Sequence, residues 1–370
     1  MKRVQYVKNK VIDFLRNCEL TEKEIVKTEG HILSELEKFE NIKAVPSFLQ
    51  EHLSYTIAKC QEVEKDMGRG GAFIFTTDNH LHENTMYDIP LIRAIAEKTT
   101  LNKTFCGGDF PWAFGTRCEG LADLFLSLEL LKEIEPMTRL YVARGNHDFT
   151  IRTSWEDDSG YTLPYAKVSA LFATYQSKGI QRPEGTTYFY VDDEKEKIRY
   201  IVLDTCSKKI KGEFQSWSTI CGIDEEQMQW LVDEALQIAD GKDWSVVAIG
   251  HIPCLREQSD TGHALDSLAE VFQDFKNKRK GRYKDFSNVK AEFVAYIAGH
   301  NHKDLGQVVD NTLFISSGSS SRLYDDCWDR EAGTVNEVLF DIFFVDKEKK
   351  TLKTIRVGAG KDREFQYDGR

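Results

Sequence analysis

The sequence predicts an α/β protein in which helices cover β-sheet on both faces, preceded by a purely helical segment. Three observations carry this. Residues 1 to about 68 repeat apolar side chains at helical spacing, and from residue 72 short β-rich runs alternate with amphipathic stretches. Those runs are numerous enough to build two packed sheets, and apolar strands alternating with helices imply a sheet buried on both faces.

In the first segment the apolar sets Val11, Ile12, Leu15 and Ile25, Ile32, Leu33, Leu36 each line one helical face. Thr21 with Glu24, and Ser47 with Gln50, have the spacing of capping boxes, in which a hydroxyl and an acid or amide satisfy free amides at a helix start. Pro46 marks a stop between helices, and Gly68-Arg69-Gly70-Gly71 breaks the helical period. The expected division is therefore a helical extension over 1–70 and a second unit over 71–370. An amphipathic extension serves as a lid, as a dimerisation surface or as packing against the sheets. Packing is preferred, because the apolar faces need cover.

Strands are expected at 72–77, 103–106, 139–143, 244–249 and 292–298, with helices near 89–99, 116–135, 224–240 and 263–280. Further strands are expected at 186–191, 198–204, 312–316, 335–345 and 351–357. There is no internal repeat and no low-complexity tract.

Composition narrows the function classes. The chain has 370 residues, 41% hydrophobic and 29% charged, as in ordinary globular proteins. Its net charge of −11 disfavours tracking of duplex nucleic acid. No run approaches the ~20 apolar residues needed to span a bilayer, and Asp13 and Arg16 interrupt the one N-terminal stretch that could imitate a leader. A cytoplasmic protein is the default expectation. Eight cysteines without CxxC pairs read as reduced thiols, and neither a disulfide nor a zinc site is assigned to them.

The chemistry lies where the first five strands end. They run into Asp78-Asn79-His80, Gly107-Gly108-Asp109, Gly145-Asn146-His147-Asp148, Gly250-His251 and Gly299-His300-Asn301-His302. Each delivers Asp, Asn or His, and sites in open α/β sheets form at the carboxyl ends of strands. Continued strand geometry would send Asp78 and His80 to one face, and His300 and His302 likewise, so that each pair grips an ion. Glycine precedes the polar residue in four of the five segments, which suits tight turns. Carboxylate, imidazole and amide oxygen together fit borderline divalent ions such as Mn, Fe, Zn or Co better than calcium.

The order D-x-H, GD, GNHD, GH, GHxH resembles the calcineurin-like metallophosphoesterase family over residues 72–318. The resemblance implies a four-layer α/β/β/α sandwich and two divalent metal ions. One would be held by Asp78, His80, Asp109 and His302, the other by Asp109, Asn146, His251 and His300, with Asp109 bridging. It further implies hydrolysis of phosphate mono- or diesters by a hydroxide shared between the metals, with His147 as general acid and Asp148 orienting it. A non-catalytic scaffold of the same fold, which one retromer subunit exemplifies, is the rival reading; retention of His147 and of the whole ligand set argues against it.

Arg144, preceding Gly145, resembles the phosphate-holding arginine of serine/threonine protein phosphatases, and the other reading is a structural ion pair. The GDxxDRG block of those enzymes is missing here, so a protein phosphatase is the second choice of activity. Phe110, Trp112 and Phe114 either form a wall for a flat leaving group, favouring phosphodiesters or nucleotide-like substrates, or pack the loop onto the sheet. His82 reads as a support for the site or as a loop residue, and His31, His52 and His263 as structural or exposed. Asn79 is left open. Ser316 to Ser321 read as a solvated loop.

Overall fold

The computed structural model describes residues 2–40, 42–151, 161–207, 221–255, 265–322 and 330–368. His263, Cys327 and the first positions of the helix expected at 263–280 lie outside the described residues.

Two sheets form the centre. In the first, three parallel strands, β1 (Gly70–Thr76), β2 (Lys103–Cys106) and β3 (Arg139–Val142), are continued by antiparallel β13 (Leu339–Asp346), β14 (Thr351–Gly358) and β15 (Arg363–Gln366) in the order β15-β14-β13-β1-β2-β3. In the second, β8 (Ile198–Val202), β9 (Ser245–Ile249), β10 (Glu292–Ala298) and β12 (Thr312–Ser316) run parallel. Antiparallel β11 (Leu305–Val309) closes one edge of that sheet, with β7 (Phe189–Asp193) and β6 (Ile180–Gln181) at the other. A separate antiparallel pair is formed by β4 (Thr150–Ile151) and β5 (Tyr161–Thr162).

Strand alternation assigns the layers. In β1, Phe73 and Phe75 point into a core shared with Tyr200, Val247, Ile249 and Ile297 of the second sheet, whereas Ile74 joins the helix-side core. The edge-on packing of Phe73 and Phe105 (5.5 Å) and of Phe73 and Tyr200 (5.4 Å) fills the space between the sheets. Outside the second sheet, α8 (Asp266–Lys276) stacks Phe272 on Phe293 at 4.7 Å. Outside the first lie α4 (Asp88–Lys98) and α5 (Arg117–Leu131). This is the four-layer arrangement.

The N-terminal helices α1 (Lys2–Asn17), α2 (Glu22–Glu40) and α3 (Gln50–Asp66) follow from their stripes: Val7, Val11, Leu15 and Ile25, Ile32, Leu36, Phe39 are buried. They add a cover that α5 requires. That helix buries side chains around most of its circumference, including Leu121, Leu124, Phe125, Leu128 and Leu131, so a single sheet cannot shelter it. Phe14 stacks on Phe125 at 4.8 Å and His31 meets Asp123 at 2.6 Å, so the cover and the sandwich share one apolar core. His52 accepts a hydrogen bond from the Gly358 amide, a structural role.

Some expectations need correction. The Thr21–Glu24 capping box forms, with reciprocal bonds of 2.8 and 3.3 Å. The Ser47–Gln50 box does not: Ser47 starts a single 3₁₀ turn, and the Gln50 amide donates to the Val45 carbonyl instead. The helix expected at 224–240 is α7 (Glu225–Trp230) plus one π turn, and the Arg199 guanidinium takes up the Ala235 and Gln237 carbonyls at its end. The edge strands β11 and β15, and α6 (Tyr165–Ala173), escape sequence reading. Both strands are short and pair on one side only, so neither needs a strong apolar pattern.

Candidate metal centre

The five motif segments converge at the carboxyl ends of β1, β2, β3, β9 and β10. They do so without continuing strand geometry. Asp78, His80, Asp109, His300 and His302 have φ values of 53°, 51°, 58°, 73° and 57°, in the left-handed region that side chains rarely adopt. Each such residue costs on the order of 1–3 kcal/mol unless its surroundings enforce it. The glycines serve mainly close approach. A Cβ on Gly145 would stand 2.2 Å from Asp109 Oδ1, and one on Gly299 2.4 Å from Asp78 Oδ2. The positive φ thus falls on the donors themselves, and the glycines make room for them.

Asp78, His80 and His302 form one cluster and Asp109, His251 and His300 another, each with ligand atoms within 4.8 Å of one another; His80, Asp109 and His147 make a third grouping between them. The expected His300–His302 pair is therefore split between clusters, because the turn sends the two rings apart. Asp78 and His80 stay together.

The donor set can be tested for a cation by asking where protons sit. A carbonyl oxygen only accepts, so the His80 Nδ1 beside the Pro111 carbonyl (3.2 Å) and the His251 Nδ1 beside the Gly107 carbonyl (2.8 Å) both carry hydrogen. In the neutral rings the Nε2 lone pairs then face inward. His80 Nε2 lies 3.3 Å from His302 Nε2, while His251 Nε2 lies 3.1 Å from Asp109 Oδ2 and 3.0 Å from Asn146 Oδ1. Buried Asp78 Oδ1 receives no hydrogen bond and stands 3.4 Å from His302 Nε2. Acceptors converging at such distances repel unless positive charge sits among them, so the residues fit divalent ions.

The titration properties carry the same message. Burial would raise the Asp78 carboxyl, but the adjacent His302 and the charge of His251 hold it well below the usual carboxylate range. Burial likewise opposes ionisation of Asp109, yet His251 and His147 keep it well below its ordinary value. Against its own burial, His251 is lifted to about 10 by the Asp109 carboxylate. Burial and the neighbouring His147 push His80 down to about 3. A proton on His251 supplies part of the charge that an ion would supply.

A scan against protein families matches residues 72–304 to the calcineurin-like phosphoesterase model. The chain belongs to the calcineurin-like phosphoesterase family. It is accordingly a hydrolase acting on phosphoester bonds, and the family implies divalent metal ions. Among solved structures it is similar to a dimetal phosphatase from Danio rerio, at 13% identity and a TM-score of 0.55, over 81% of this chain and 100% of that one. It also matches a predicted phosphoesterase from Streptococcus pneumoniae (13% identity, TM-score 0.32, 81% and 98% covered). Vps29 from Chaetomium thermophilum matches at 11% identity and a TM-score of 0.30, over 82% and 100% of the two chains. No curated protein matches significantly. No helix among the described residues is long and apolar enough to cross a membrane.

Around this phosphoesterase centre several expected roles change. His147 does not meet Asp148: its Nδ1 donates to the Trp112 carbonyl at 2.8 Å, leaving Nε2 directed toward Asp109 Oδ2 at 3.8 Å. The Asp148 carboxylate instead accepts from the backbone amides of Asp109 (3.1 Å), Phe110 (2.7 Å) and Gly145 (2.6 Å), fastening the β2 and β3 loops together. Burial and the Asp109 charge push its pKa up to about 7. Arg144 is fully buried, donating to Asp204 Oδ1 from Nε at 3.0 Å and from a terminal nitrogen at 2.8 Å, and lying against the Phe149 ring. The ion-pair reading therefore replaces the phosphate-contact reading. Asp204 follows β8, and the adjoining Thr205 hydroxyl accepts from the His251 amide at 3.1 Å, a support that sequence reading missed.

The aromatic stretch divides. Phe110 is fully buried against Phe172, whereas half-buried Trp112 stacks on His147 (5.6 Å, 29°) beside Phe114. Asn79 turns away and donates to the Thr76 hydroxyl at 3.3 Å. His82 caps the following turn through Asn84. The largest miss is the serine segment: Ser316, Ser317, Ser319, Ser320 and Ser321 are buried, directly behind the Asp78 turn.

Proposed function

We propose that the chain hydrolyses phosphate mono- or diesters at two divalent ions, one held by Asp78, His80, Asp109 and His302 and the other by Asp109, Asn146, His251 and His300. The observation that carries this is the inward convergence of donor atoms: Asp109 Oδ2 and Asn146 Oδ1 lie 3.1 and 3.0 Å from His251 Nε2, while the other ring nitrogen of His251 is engaged by the Gly107 carbonyl. Bound divalent ions would supply Lewis acidity, lowering the pKa of water and offsetting charge on phosphate oxygens. The mixed imidazole, carboxylate and amide donors suit Mn, Fe, Zn or Co.

The chain supplies position and a proton. Asp109 is fixed through its own backbone amide by Asp148, and its Oδ1 accepts from the His147 amide at 2.8 Å, so the shared carboxylate and the proton donor move as one unit. His147, locked at Nδ1 by the Trp112 carbonyl, presents Nε2 as the atom that hands a proton to the leaving oxygen. Asp148 acts on His147 only through this shared loop. Trp112 and Phe114 flank the same ring, which favours a leaving group with a planar, nucleotide-like portion.

Metal-stripped protein should release no nitrophenol from nitrophenyl phosphate or bis(nitrophenyl) phosphate, and should recover on adding Mn²⁺, Co²⁺ or Zn²⁺. Silence toward both esters while two ions are demonstrably bound would sink the catalytic reading and favour a scaffold.

A further inference from the structure

Behind the metal centre lies a second polar cluster that none of the motifs includes. The Ser320 and Ser321 amides donate to the Thr77 and Asp78 carbonyls at 2.9 and 3.1 Å, and the Ser319 hydroxyl donates to the Asp78 carbonyl at 2.9 Å. Three donors thus hold the backbone of a turn in which Asp78, His80 and Leu81 all have positive φ. The serine segment is held in its turn. The Ser320 hydroxyl donates to Asp88 Oδ2, which also accepts from the Thr76 hydroxyl at 3.1 Å. The Arg330 guanidinium donates to the Ser319 and Ser320 carbonyls at 3.0 and 2.8 Å, and Asn84 Nδ2 donates to the Ser320 carbonyl at 2.7 Å. Asp88, Ser320 and Arg330 are buried, and Asp88 Oδ1 receives no hydrogen bond.

Burying a carboxyl and a guanidinium costs several kcal/mol that their hydrogen bonds must offset, a cost tolerated where a site needs their directionality. A left-handed turn of non-glycine residues is such a need, since it persists only when its surroundings over-determine it. We propose that Asp88 and Arg330 are positioning residues that clamp Ser319–Ser321 onto the Asp78 turn and thereby set the geometry of the Asp78–His80–His302 cluster. Neither touches the proposed metal ligands. The brace bears mainly on one side of the centre, because Asp109 and His251 of the other cluster are fixed by Asp148, Thr205 and the Gly107 carbonyl, while its third member, His300, is linked to the braced turn through its amide, which donates to Asp78 Oδ2 at 2.9 Å. The inference rests on the two-metal reading above.

The test is a calorimetric Mn²⁺ titration of Ser320→Ala, Asp88→Ala and Asp88→Asn, paired with hydrogen exchange at the Ser320 and Ser321 amides. Ser320→Ala and Asp88→Ala should weaken one of the two binding steps about 10- to 100-fold, the range for supports behind metal ligands. The second step should change less than about threefold, and exchange at both amides should accelerate. Asp88→Asn keeps an acceptor oxygen for Ser320 and Thr76 and should restore the weakened step to within about threefold of wild type. Ser320→Ala, which removes one oxygen atom, serves if Asp88→Ala fails to fold. Unchanged affinities in these variants, or equal loss at both steps, would overturn the brace while leaving the metal pair intact. Wild-type protein that binds fewer than two Mn²⁺ ions would instead overturn the two-metal reading, and the positioning role with it.

Discussion

The front and the back of the Asp78 turn are built on opposite plans. The front presents Asp78, His80 and His302 with oxygen and nitrogen donors aimed at one another and Asp78 Oδ1 lacking a hydrogen bond, which leaves it unstable without added positive charge. The back joins Ser319, Ser320, Ser321, Asp88, Asn84 and Arg330 through donors matched to acceptors, Asp88 Oδ1 excepted. The same few residues of backbone separate the two. The difference teaches that the strain of the turn carrying the proposed ligands is offset behind it, by groups that hold backbone rather than an ion.

The sharpest way to break this contrast is at the front. Asp109→Asn should lower occupancy of both ions and reduce turnover by more than the roughly 10–100-fold typical of outer supports. Elemental analysis showing loss of one ion alone would contradict a shared carboxylate. His147→Ala should keep both ions and lose about 10² to 10⁴ in rate on esters with poor leaving groups, with a smaller loss on nitrophenyl esters. Equal rates for both classes of ester would remove the proton-donor role.

Arg144, paired with Asp204, should instead register as stability. Arg144→Ala strands the buried Asp204 carboxylate, so chemical denaturation should show a loss of about 3–5 kcal/mol. KM of the folded fraction should stay within about threefold, whereas a large rise in KM would restore Arg144 as a phosphate contact. The smallest effect concerns Asp88, whose buried carboxyl is pushed up to about 7 by desolvation, against about 3.9 in an unfolded chain. A raised acid favours the protonated folded state, so its stabilisation is complete below about pH 4 and is lost as pH rises through 7. Asp88→Asn cannot ionise, so its stability in melting experiments should gain on wild type as pH rises from about 4 to about 7, by at most about 4 kcal/mol. Parallel melting curves across that range would contradict the assignment.

The same contrast explains what the sequence could disclose. Metal-binding chemistry would restrict the front to a few residue types at fixed places after strands, which is why the proposed ligands Asp78, His80, Asp109, Asn146, His251, His300 and His302 stand out, as do the layers of sheet and helix. Many polar groups could serve at the back. A serine run reads as solvated until its burial is known, and Asp88 reads as an ordinary acid at the start of α4. Partner choice was equally hidden. Arg144 turns to Asp204, 60 residues later, and Asp148 turns to three backbone amides where the family resemblance implies His147. Strand periodicity also misled about the turn, since nothing in the pattern announces positive φ on Asp78 or His302.

The most direct measurement is anomalous diffraction from crystals equilibrated with Mn²⁺. Two peaks about 3.5–4 Å apart are expected, one among Asp78, His80 and His302 and one among Asp109, His251 and His300, with Asp109 touching both. Peaks absent from these clusters, with manganese bound elsewhere on the molecule, would contradict the account.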